Sequence, residues 1–234
     1  CWCIITINIK YMDNKVEGAL IASIDKFSEN SGKETADLKK NLLEVFDLDQ
    51  GFIEKVDAFD AAFDEHPEFE ELREVAFDLL MINFFANDMK KLDEDYLDSE
   101  EWASIEEETI DRGTELLNLL LYINECRDEN IKPELGDFLK EFLLVEEDEF
   151  QDEFHIYEDL ISNQQLAESS IEDICSHAGM VDLGEEMEEL FVPFMSFFYQ
   201  PKYDEAVVND LKEFSANPGF DVAVYALITK FNGN

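Results

Sequence analysis

Residues 13–32 read DNKVEGALIASIDKFSENSG. Val16, Leu20, Ile24 and Phe27 recur at steps of four, four and three, which puts them on one face of an α-helix. Asp13 and Asn14 after Met12 supply a helix N-cap, and Ser31-Gly32 supplies the stop. The same grammar continues downstream. Thr35 is placed to cap a second helix with the stripe Leu38, Leu42, Leu43 and Phe46. Asp47 and Asp49 punctuate, and Phe52, Val56, Phe59 and Phe63 form the next stripe. His66-Pro67 interrupts it, and Pro67 suits the first turn of a longer helix. That helix carries Phe69, Leu72, Val75, Ala76, Leu79, Leu80, Ile82 and Phe84. It is apolar around much of its circumference, which marks it as central.

Acidic residues 93–98 read as a linker, and Ser99 as the cap of a helix containing Trp102 and Ile105. Gly113 marks a break before Leu116, Leu117, Leu120 and Ile123. Residues 127–132 (RDENIK) form a second linker, and Pro133 opens a helix with Leu135, Phe138, Leu139 and Phe142 on its core side. Further stripes are Phe150, Phe154, Tyr157 and Ile161, then Leu166, Ile171 and Ile174. Residues 190–199 are strongly apolar and contain Pro193, which must kink or restart the helix. Tyr203, Val207, Leu211 and Phe214 follow. Asn217 and Pro218 start a last helix with Phe220, Val224, Leu227, Ile228 and Phe231.

Only residues 1–11 depart from this pattern. There Ile5, Ile7 and Ile9 alternate with Thr6, Asn8 and Lys10, the period of a strand. Met12 reads as the natural start, with 1–11 as an upstream extension. The fold class is therefore all-α: about ten or eleven amphipathic helices in one domain, 12–234, arranged as a bundle or a helical-repeat-like array. An ungapped offset of 118 residues (171 − 53) lays Ile53-Glu54 on Ile171-Glu172, Glu68 on Glu186, and Glu70-Glu71-Leu72 on Glu188-Glu189-Leu190. Identity over the whole overlap is little above what this composition gives by chance. The expectation of two similar halves, 13–127 and 131–234, rests on that local cluster.

The chain has 234 residues, with 58 acids against 17 bases, so its formal net charge is 17 − 58 = −41. High charge with few large apolar residues leaves a chain disordered. Here 46% of residues are apolar and 20 are Phe, so the sequence builds a core under an acidic skin. Nucleic-acid phosphates and anionic membranes are repelled by such a skin. Arg73, Arg112 and Arg127 are the only arginines. Four Cys do not make a disulfide framework and fit a reducing cytoplasm. No apolar run is long enough to span a bilayer; the best, 116–123, is broken by Asn118.

No catalytic residues emerge. The sequence has no Gly-x-Ser-x-Gly elbow, no Gly-rich phosphate loop and no Cys–His signature. Asp47-x-Asp49-x-Gly51 opens like a calcium loop, but the Gly comes at the fifth position and Ala58 stands where a bidentate Glu belongs. Asp152-x-x-His155 and Asp173-x-x-x-His177 have metal-ligand spacing on a helix. A di-metal bundle needs Glu-x-x-His twice, and this chain has none. Acids are so frequent that one falls near any His by chance, so Asp152, His155, Asp173 and His177 are weak metal candidates, and no cofactor is expected.

The acidic runs remain. Residues 93–115 hold eleven acids and one base, and 141–159 hold nine acids and no base. The candidate binding face is Glu106, Glu107 and Glu108 together with Glu146, Glu147, Asp148, Glu149, Asp152 and Glu153. The leading functional expectation is a non-catalytic cytoplasmic protein that binds another protein through these carboxylates. Its narrower form is an inhibitor, or a mimic of DNA phosphates, directed at a basic partner. The alternatives are a carboxylate-rich metal-binding bundle and a helical scaffold whose acidity only confers solubility or suits a saline habitat.

Overall fold

The computed structural model describes residues 12–87, 99–109, 111–143 and 156–233. Among the described residues every regular element is helical. The first half holds α1 (Asn14–Ser31), α2 (Ala36–Phe46), α3 (Phe52–Asp64), a 3-10 helix (Pro67–Leu72), α4 (Arg73–Asn87), α5 (Glu100–Thr109) and α6 (Leu116–Asp128). The second holds α7 (Leu135–Leu143), α8 (Glu158–Ser162), a 3-10 helix (Gln164–Glu168), α9 (Ile171–Ala178), α10 (Glu185–Glu188), α11 (Phe191–Tyr199), α12 (Glu205–Phe214) and α13 (Pro218–Asn232). There are more helices than the ten or eleven expected, because α8 and α10 are short turns that no hydrophobic period can reveal. The strand pattern of 1–11 lies outside the described residues.

Local signals act as the sequence implies at α1. The Asp13 carboxylate accepts the Lys15 backbone N–H at 2.7 Å. Gly32, at φ 71°, closes the other end, its N–H donating to the Ser28 carbonyl at 2.8 Å. The face between buries Val16, Ala19, Leu20, Ile24 and Phe27. Ser99 and Asn217 also cap, accepting from the Trp102 and Phe220 N–H groups. Thr35 does not: its backbone is already helical at ψ −11°, and its hydroxyl makes no cap bond. Pro67 opens a 3-10 helix rather than α4 itself, which begins at Arg73. Pro193 restarts the chain, sitting in the first turn of α11 where its missing N–H has no intrahelical partner to lose.

α4 is central as expected, buried on every side from Val75 through Phe84, and α13 is equally buried from Phe220 to Thr229. Such helices must be enclosed by others. α13 packs most extensively on α1 and also touches α6, α11 and α12. The first and last helices of the described chain thus lie together, and the buried side chains of both halves form one hydrophobic cluster. Two polar side chains of α13 find backbone partners inside it. Thr229 donates its hydroxyl to the Tyr225 carbonyl at 2.7 Å, and the Tyr225 hydroxyl lies 3.1 Å from the Lys202 carbonyl.

Some element boundaries are also 118 residues apart. The 3-10 helix at 67, α4 at 73 and α5 at 100 start 118 residues before α10, α11 and α13, at 185, 191 and 218. The capping residues Ser99 and Asn217 are separated by the same interval. The correspondence is looser elsewhere: α7 and α8 begin three and four residues late.

Candidate acidic cleft

Where the first 3-10 helix passes into α4, Glu70, Glu71 and Glu74 come to one side of a cleft of about 570 Å³. The loop 111–115 between α5 and α6 forms its floor, with Asp111, Arg112 and Glu115. Glu185, Glu189 and Leu190, from α10 and the turn after it, and Phe220 of α13 complete the wall. Among the described residues seven carboxylates and one base line it.

That base is already committed. The Arg112 guanidinium forms a fork on Asp60, at 3.0 and 3.1 Å, and its Nε lies 3.4 Å from Glu74. It also stacks over the Phe77 ring at 4.3 Å. Asp60 is shared with Arg73, which reaches Asp64 at 2.6 Å and Glu70 at 2.9 Å as well. Two of the three arginines therefore act as internal clamps among acids, a role that suits the rigid fork of Arg over Lys.

The loop is pinned from beneath by Asp78. This side chain, 1% exposed, accepts from the Thr114 backbone N–H at 2.9 Å and the Thr114 hydroxyl at 2.5 Å. Burial holds its pKa well above the usual carboxylate range, and Glu74 and Glu115 push the same way; the Thr114 bonds oppose them. Gly113 crosses directly above at φ 82°, and a Cβ there would lie 2.6 Å from the Asp78 Oδ1. Its N–H donates to Glu74 at 2.8 Å. Two bonds tie the cleft walls to neighbouring elements. Asn217 donates to Glu71 at 3.2 Å, and the Tyr157 hydroxyl bonds Glu115.

The structure leaves Glu106, Glu107 and Glu108 exposed on α5, whose buried residue there is Ile105; they precede Asp111 but do not line the cleft. Glu146, Glu147, Asp148, Glu149, Asp152, Glu153 and His155 lie outside the described residues. Asp173 and His177 are not brought together. Asp173 closes a capping box with Ser170, bonded at 2.7 Å, and His177 is half-buried with its ring 6.2 Å from that of Phe191. Among the described residues no three His, Cys, Asp or Glu side chains converge as metal ligands. The Cys175 thiol is pushed up to about 12, by burial and then by Asp221, which leaves it a poor nucleophile.

Sequence reasoning missed Glu70, Glu71, Glu74, Glu185 and Glu189 as one group, and missed the Asp60–Arg112 clamp. Two signals pointed to the loop: the scarcity of Arg and the break at Gly113. No described helix is long and apolar enough to cross a membrane. No protein-family model, no curated protein and no solved structure matches the chain.

Proposed function

We propose that this chain is a non-catalytic binding protein that takes a basic segment of a partner protein into the acidic cleft. The observation that carries the reading is the lining itself: seven carboxylates around a base that Asp60 and Glu74 already neutralise. Such a concave, single-signed surface concentrates field and attracts cationic side chains. The exposed Glu106, Glu107 and Glu108 extend the same sign along α5 and serve long-range attraction. Inhibition of a basic enzyme by mimicry of phosphates is the narrower form of the same reading. The 118-residue spacing bears on it too: Glu71 and Glu189 are 118 residues apart and both line the cleft, which supports reading it as the seam between two similar halves.

The test is capture of basic proteins by the immobilised chain. A specific partner is expected to bind at about 0.05 M salt and to be released at about 0.5 M, where the screening length falls to a few ångströms. The triple variant Glu71→Lys, Glu185→Lys, Glu189→Lys should not capture it. Capture by that variant equal to the parent's would remove the cleft from the account.

A further inference from the structure

In a chain with 58 acids and 17 bases, two cations that line one cavity with no carboxylate in ion-pair range run against the trend. Lys15 and Arg127 do so, in a second cavity of about 300 Å³ between α1, α4, α6 and α13. Arg127 donates Nη1 to the Asn124 side chain at 2.6 Å and Nη2 to the Phe231 carbonyl at 2.7 Å, and lies over the Phe231 ring at 5.4 Å. A guanidinium carries five N–H donors, so among the described residues three remain. Among the described residues neither Lys15 nor Arg127 has a carboxylate within 4.0 Å.

Two acids in the lining do not change this. The Asp13 carboxylate is engaged as the cap of α1, and Asp128 stays beyond ion-pair range. Both cations are accordingly held below their ordinary pKa values. Lys15 is lowered by burial and then by the charge of Arg127, with Asp13 and Asp128 opposing; Arg127 is lowered by burial, with the same two acids opposing. An anion placed between them removes this penalty. Apart from Asn124, the rest of the wall is apolar, from Val16, Ile82, Phe85, Ala86, Leu121 and Phe231.

We propose that this cavity is a binding site for a small organic carboxylate with an apolar body. The carboxylate sits between the Lys15 ammonium and the free N–H groups of Arg127, and the body lies against Phe85, Leu121 and Phe231. The planar fork of Arg matches a carboxylate. The two nearby acids and the net charge of −41 disfavour a dianion such as a phosphate monoester far more than a monoanion. The volume lies at the small end of the range for ligand pockets.

Titration of the full-length, isotope-labelled chain with octanoate, followed by backbone amide shifts, tests this independently of the acidic cleft. Octanoate is expected to give saturable shifts centred on residues 13–16, 124–128 and 231, and octylammonium is expected to give none there. Lys15→Gln should weaken octanoate at least about tenfold. Among the described residues Lys15 makes no side-chain bond whose loss would unfold the protein, so the variant's spectrum should otherwise match the parent's. Arg127→Lys keeps the charge and loses the fork, and should also weaken binding. Absence of saturable shifts at about 10 mM octanoate, equal binding of octylammonium, or an unchanged affinity in Lys15→Gln would each overturn the proposal.

Discussion

Gly113 shows how much a single position can carry. Its φ of 82° lies in the region that L side chains rarely adopt, and a Cβ would press within 2.6 Å of the carboxylate that anchors its own loop. Gly113→Ala should therefore destabilise by about 1–3 kcal/mol in denaturant unfolding, and should disorder the floor of the cleft. Asp221 is the other informative residue. It is buried on α13, its carboxylate accepts from the Ser215 hydroxyl, and burial pushes it up to about 7, with Glu189 adding to the rise and Ser215 opposing it. A carboxylate whose folded pKa is raised contributes most below its unfolded value, near 4, and loses that contribution as pH rises through the folded value. The stability of the parent relative to Asp221→Asn is thus expected to fall between pH 4 and pH 7, by on the order of 2–4 kcal/mol. Paired chemical-denaturation curves across that range check it; a constant difference would contradict it.

Among the helices, α1 and α13 define the architecture, and their contact is measurable. Gly18 of α1 faces Lys230 of α13, and a Cβ at 18 would meet the Lys230 Cε at 3.1 Å. That atom belongs to a flexible, exposed side chain that can move, whereas alanine is the better helix former. Gly18→Ala should stabilise by about 0.5–1 kcal/mol, read as a raised denaturation midpoint. Leu227→Ala, inside the enclosed helix, should destabilise by about 2–5 kcal/mol. These elements also show what the sequence discloses. The stripes of α1 and α13, and the caps Asp13, Ser99 and Asn217, could be read directly, because period and capping are local properties. So could the burial of α4, apolar around much of its circumference. The pairing of α13 with α1 could not, because which helices lie side by side depends on long-range packing. Thr35 failed as a cap because backbone geometry, not residue type, decides whether a hydroxyl reaches the first turn. The cleft was hidden for a further reason. It draws on residues 70–74, 111–115, 185–190 and 220, and where acids occupy a quarter of all positions their presence gives no contrast.

For the whole molecule, the charge of −41 sits around one continuous hydrophobic cluster. Mutual repulsion of the carboxylates opposes compaction. Thermal stability should therefore rise as salt is added toward the range where the screening length approaches about 10 Å; a flat salt dependence would mean that clamps such as Asp60–Arg112 already offset the repulsion. Net charge alone would bind basic proteins anywhere on the surface, so the claim of a site requires position dependence. The decisive measurement is the association rate constant of a captured basic partner, over a series of ionic strengths, for two triple charge reversals. One replaces Glu71, Glu185 and Glu189 in the cleft by Lys; the other replaces the exposed Glu125, Asp128 and Glu129 at the end of α6. Both change the net charge equally. The cleft variant is expected to lose about tenfold or more at low salt and the control less than about threefold. Equal losses in the two would show that the partner reads the overall charge and that the cleft is not a binding site.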